Sequence, residues 1–120
     1  MSLFAMAVPI LPGKTEQWKR FMEQLNGPRR SDYEASRQRL GVHERTFFQS
    51  TPQGDLVIVT LEGDNPEAAF GRFVSGDDDF TRWFLQEAKD LHGLDLTQMG
   101  AAPMPTLVVD SDRQMQKRAA

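Results

Sequence analysis

A surplus of apolar strand most constrains what this chain can become. Residues 4–10 form an apolar run closed by Pro12-Gly13, too short for a free-standing helix, and they read as a buried strand. Successive side chains of a strand alternate across the pleat, so Phe4, Met6, Val8 and Ile10 project one way and Ala5 and Ala7 the other. Residues 45–50 and 55–62 flank Thr51-Pro52-Gln53-Gly54 as the two arms of a hairpin. The second arm is rich in β-branched residues and carries Leu56 and Ile58 on one side, Val57, Val59 and Leu61 on the other. An antiparallel sheet with one face in water alternates apolar with polar residues. These strands are apolar on both sides, so both faces of their sheet need cover.

Helices supply cover for one face. Trp18, Phe21, Met22 and Leu25 recur at i, i+3, i+4, i+7 in a helix starting near Lys14, and Asn26-Gly27-Pro28 is expected to end it through a left-handed cap. Ser31 with Glu34 fits a capping box opening a second helix to Leu40, with Gly41 as its stop. Asn65-Pro66 supplies an N-cap and a first-turn proline for a third, striped by Ala69, Phe70, Phe73 and Val74 and broken by Ser75-Gly76. A fourth begins within Asp77-Asp78-Asp79, carries Phe80, Trp83, Phe84, Ala88 and Leu91 on one face, and closes at His92-Gly93. After a Gly/Pro/Ala-rich passage over residues 100–105, Leu107, Val108 and Val109 read as a last strand.

The order strand, helices, strand, strand, helices, strand predicts an α+β fold: a ferredoxin-like, four-stranded antiparallel sheet with helices on one face. Residues 1–110 make the single domain. Residues 111–120 form a polar tail, expected to dock on a partner subunit as a short helix. The other sheet face has no element left to cover it, and an apolar patch of that size is not tolerated by monomers. A second copy packed sheet to sheet about a two-fold axis closes it, so a homodimer is expected.

Composition removes several function classes. With 120 residues, 39% hydrophobic and 26% charged, the chain is an ordinary globular domain rather than a disordered or fibrous one. A net charge of -3 gives no reason to seek phosphate backbones, and nucleic acid is not expected as a partner. Zero Cys excludes disulfides, thiolate nucleophiles and thiolate-bound metals. The longest apolar stretch, residues 3–11, is interrupted by Pro9 and falls far short of the roughly 20 residues a membrane helix needs. The first basic residue, Lys14, follows that run instead of preceding it as in a secretion signal, and a cytoplasmic protein is expected.

The pattern resembles the dimeric α+β barrel superfamily, in which two ferredoxin-like subunits press their sheets together. Three stretches are similar to a small bacterial family of uncharacterised function within it. They are Arg39-Leu40-Gly41-Val42-x-x-Arg45, Thr51-Pro52-x-Gly54-Asp55, and Phe80-x-x-Trp83-Phe84 continuing to His92-Gly93-x-Asp95-Leu96, the last being the most specific. The resemblance spans about residues 3–110 and implies the fold and the dimer, with no established catalytic residues. The superfamily holds cofactor-independent monooxygenases, haem-degrading enzymes, isomerases and ligand-sensing modules, so it leaves function to the site. An enzyme of the monooxygenase or isomerase kind, acting on a small aromatic or polyketide-like compound, is one expectation. A non-catalytic ligand-binding or structural module is the other.

Six residues are the candidates for chemistry. His43 and Arg45, with Glu44 between them, mix base, acid and fixed cation at the start of the second strand, a proton-transfer combination. Charges on an edge strand also block unwanted pairing, and that reading is favoured. Tyr33, Arg37 and Leu40 share a helix face, which turns Arg37 toward a cavity; if buried it needs an anion, either Glu44, Glu62 or a bound carboxylate. The favoured reading keeps its head in water over apolar surface. His92 in a last helical turn suits an imidazolium bonded to free carbonyls, or a base or ligand near neutral pH. Trp83, like Trp18, either lines an aromatic pocket or fills the core, the commoner use. The catalytic candidates are thus His43, Arg37 and His92, and the ligand-binding ones Tyr33, Arg45 and Trp83. No metal-ligand spacing such as His-Glu-x-x-His occurs, and neither metal nor cofactor is expected.

Overall fold

A computed structural model describes residues 2–101 and 105–112. Its elements run β1 (Ser2–Pro9), α1 (Thr15–Asn26), α2 (Arg30–Leu40), β2 (Val42–Thr51), β3 (Gly54–Gly63), α3 (Pro66–Val74) and α4 (Asp79–His92), then a 3-10 turn, Leu96–Ala101. The fold is α+β, with four α-helices and a three-stranded antiparallel sheet of order β1-β3-β2 among the described residues. None of these helices is long and apolar enough to cross a membrane.

Register sorts the strand residues into two faces. Phe4, Leu61 and Glu44 form one row across the sheet, Met6, Val59 and Thr46 the next, and Val8, Val57 and Phe48 a third; this is the inner face. The opposite face carries Leu3-Glu62-His43, Ala5-Thr60-Arg45, Ala7-Ile58-Phe47 and Pro9-Leu56-Gln49. Every strand side chain that is fully buried lies on the inner face. There Trp18, Phe21 and Leu25 of α1 and Phe80 and Leu91 of α4 complete the core with Phe4, Met6, Val8 and Val57. Phe21 meets Trp83 at 5.2 Å and Phe84 at 5.1 Å, and Phe73 meets Phe84 at 5.1 Å, all edge to face. Each such pair adds about 0.5–1.5 kcal/mol beyond the area it buries.

Local chemistry sets most boundaries as expected. The Asn65 side chain accepts from the Ala68 amide, with Pro66 opening α3. Asp78 accepts from both the amide and the hydroxyl of Thr81 to open α4. Gly41 (φ 71°) and Gly93 (φ 66°) cap α2 and α4 in the left-handed region. Gly63 at the far end of β3 faces Val42 across the ladder, and a Cβ there would lie 2.5 Å from the Gly41 carbonyl oxygen. Only a glycine admits this approach.

Three expectations need correction. Gly27 ends α1 at φ −131°, not through a left-handed cap. The Arg29 amide bonds back to the Gln24 carbonyl at 2.8 Å, so α2 follows almost at once. The capping box does not form: α2 begins at Arg30 without a side-chain cap, and Arg30 donates to the Glu34 carboxylate instead. Finally, Leu107, Val108 and Val109 lie outside the sheet, 48%, 76% and 77% exposed, in a stretch without regular structure. Strand propensity records how well a residue fits a pleated surface, and it supplies no ladder by itself. Of the tail expected to dock as a helix, residues 113–120 lie outside the described residues.

Candidate functional site

Helices α1 and α2 diverge over the inner face of β2 and leave a cleft of about 490 Å³, within the range that holds small organic ligands. Its wall is apolar where Trp18, Met22, Leu25 and Val42 contribute, and Trp18 stacks on Phe48 with ring centroids 5.3 Å apart. Asn26, Arg30, Glu34 and Gln38 also line it. Tyr33, Arg37, Glu44 and Thr46 complete the lining.

Three of those side chains form one network. The Arg37 guanidinium donates through Nε to Glu44 Oε1 at 2.9 Å, and its Nη2 lies 2.9 Å from the same oxygen. Nη1 donates to Ser36 Oγ at 2.9 Å, and the Tyr33 hydroxyl donates to Glu44 Oε2 at 2.7 Å. The Arg37 and Glu44 side chains are only 9% and 7% exposed. Charges shut away like this persist only when paired and hydrogen-bonded. Aromatic faces finish the enclosure, for the guanidinium carbon lies 4.5 Å from the Phe73 ring centroid, 4.8 Å from Tyr33 and 5.0 Å from Phe84. Burial first, and then the Glu44 charge, hold the Tyr33 hydroxyl well above the ordinary phenol range, so it stays a donor. The expectation that Arg37 keeps its head in water is therefore corrected. Glu44 supplies the anion that a buried Arg37 requires.

Two smaller cavities adjoin. One of about 40 Å³ lies between Met6, Val59, Leu61, Phe70 and Phe73; one of about 80 Å³ lies between Val8, Val57, Phe84, His92 and Leu94. Glu44 borders both of these and the cleft. His92 donates from Nδ1 to the Pro9 carbonyl at 2.8 Å, since that oxygen can only accept. Burial lowers its pKa against the opposing effect of that bond, so the neutral ring is favoured. His92 is thus tied to the end of β1, bonded to a carbonyl of another element instead of its own helix, with burial disfavouring the charged ring.

The structure thus brings Tyr33 and Arg37 together at the cleft and disperses the other four candidates. His43 borders the cleft but holds an outer-face position opposite Glu62. Arg45, also on the outer face, lies 3.4 Å from Glu62 in an exposed pair. Trp83 packs on Phe21 beneath the Arg29 guanidinium, 4.1 Å from its ring centroid, away from the cleft lining. His92 reaches the smaller cavity alone. Sequence reasoning passed over Thr46 and Phe48 as site residues and cast Glu44 as the acid beside His43 and Arg45 or as an anion for Arg37, not as the centre of the site. The signal was present in the alternation of β2, which sends 44, 46 and 48 one way and 43, 45 and 47 the other.

Compared with protein-family models, with curated proteins and with solved structures, the chain finds no match in any of the three.

Proposed function

We propose that this chain is a small-molecule-binding protein of the dimeric α+β barrel kind, a homodimer in which each cleft between α1, α2 and β2 takes one ligand. The observation that carries the reading is the cleft of about 490 Å³ with the Tyr33-Glu44-Arg37 network buried at its base. Such pairing of an apolar, aromatic wall with a few fixed polar groups is what ligand sites require. The network argues for binding before catalysis: Arg37 and Tyr33 already engage the two Glu44 oxygens, and Tyr33 keeps its proton.

The dimer is supported by the outer sheet face. Leu3, Ala5, Ala7, Leu56, Ile58 and Phe47 share it, with Phe47 51% exposed, and no described helix covers it. Native mass spectrometry of freshly purified protein is expected to show a two-chain species with one retained small molecule per chain. A single-chain mass by light scattering at micromolar concentration contradicts the dimer. Phe47→Glu is expected to give that mass while leaving the cleft intact.

A second reading, a proton-transfer enzyme, has one observation in its favour. Burial favours the uncharged His92 ring, which donates from Nδ1 to Pro9 and so leaves Nε2 as an acceptor, and the ring borders a cavity that Glu44 also borders. Turnover of a cleft ligand that vanishes in His92→Asn, with binding retained, would support it over simple binding.

A further inference from the structure

We infer that the ligand of this cleft is an uncharged molecule that presents an O–H or N–H donor to Glu44 from an apolar body. The inference rests on the cleft being a ligand site, and it deepens that reading by naming the ligand's chemistry.

Charge matching excludes ions. Within the cleft lining the cations of α1 and α2 are Arg30 and Arg37, and the anions are Glu34 and Glu44. Arg30 already donates to Glu34, and through Nη1 to Asn26 Oδ1 at 3.2 Å; Arg37 is committed to Glu44. An anionic ligand would have to draw Arg37 away and strand a buried carboxylate. A cationic one would sit against the Arg37 guanidinium in the same enclosed space. Two titratable groups remain in the lining: Tyr33, which keeps its proton, and His43, which is exposed on the outer face.

Acceptor counting then specifies the donor. A carboxylate offers about four lone-pair positions, two on each oxygen. Two hydrogen bonds reach Glu44, from Arg37 Nε to Oε1 and from the Tyr33 hydroxyl to Oε2, and Arg37 Nη2 lies 2.9 Å from Oε1. Among the described residues the Tyr33 hydroxyl is the one donor to Oε2, so a position on that oxygen remains. Glu44 borders the cleft, so a ligand hydroxyl or amide seated there takes the position on Oε2 that the described residues leave open. Thr46, the next inward position on β2, borders the same space, and the Trp18-Phe48 stack offers the apolar body a flat surface.

Protein-observed NMR titration of the intact, 15N-labelled protein at pH 7 with three matched probes tests this: 4-ethylphenol, its methyl ether 4-ethylanisole, and 4-ethylbenzoate. The phenol is expected to bind at least 10-fold more tightly than either of the others, and to shift the backbone amides of Tyr33, Glu44 and Thr46. Equal affinity for the ether overturns the donor, and tighter binding of the benzoate overturns charge exclusion; in both cases the cleft still stands as a ligand site. Shifts confined to the outer face, or no binding of any probe, overturn the site and this inference together.

Discussion

Strand β2 carries two ion pairs on successive residues. Glu44 faces inward to Arg37 with both side chains under 10% exposed, whereas Arg45 faces outward to Glu62 with 45% and 35% exposure. The outer pair at 3.4 Å is a solvated contact of a kind that contributes about 0–1 kcal/mol and fades with salt. The inner pair gains more from attraction, but it also bears the desolvation of two ions, so its net contribution to folding can be close to zero. Its cost appears only when one member is removed. A single step along the strand thus separates a surface decoration from a committed internal charge, and the cleft is built around the latter.

Glu44→Gln is the sharpest way to break this contrast. It strands the Arg37 guanidinium, and urea unfolding is expected to show a loss of about 3–5 kcal/mol. A loss no larger than that of Arg45→Ala would erase the distinction. Next comes the double replacement Arg37→Met with Glu44→Leu, which removes both charges at similar volume. Its stability is expected within about 1 kcal/mol of the parent or above it, since apolar substitutes often match a buried pair. Should the double variant be as unstable as Glu44→Gln, the pair is a net stabiliser and the accounting above is wrong. Smaller still, Arg45→Ala is expected to cost less than about 1 kcal/mol at low ionic strength and nothing measurable in 1 M salt.

The smallest effect concerns pH. His92 has a native pKa below its unfolded value of about 6.5, so between the two the unfolded chain binds more protons than the native one. Its contribution is therefore complete above about pH 6.5 and is lost as pH falls toward the native pKa. His92→Gln is expected to flatten this part of the stability profile, measured by thermal unfolding between pH 7.5 and 5. A profile unchanged by the substitution would place the acid sensitivity elsewhere.

Much of the scaffold was legible in the sequence because it follows from local rules. Asn65-Pro66, the Asp77-Asp78-Asp79 start, the glycine stops at 41 and 93 and the Thr51-Gly54 turn each act within a few residues of themselves. The double-sided apolarity of β1 and β3 was equally plain, since it needs only alternation. Misreadings came where competing local partners existed. Glu34 suited a box with Ser31, but Arg30 on the same helix claimed it. The segment at 107–109 had the composition of a strand, and composition does not name a neighbour. The site was half visible: Tyr33 and Arg37 were chosen from helical spacing, whereas His43 and Arg45 drew notice by charge although their parity turned them outward. The depth of burial of Arg37 depends on Phe73 and Phe84, side chains from two distant helices, and no local spacing reports that.

The backbone contact at Gly63 bears on all of this. Because that residue must nestle under the Gly41 carbonyl, the start of β2 is pinned opposite the end of β3, and the parity of everything downstream is decided there. Insert one residue between Gly41 and His43 and the strand turns inside out, sending Glu44, Thr46 and Phe48 to the outer face and His43, Arg45 and Phe47 under the helices. The chemistry of the cleft is therefore hostage to two hydrogen atoms where side chains would otherwise be.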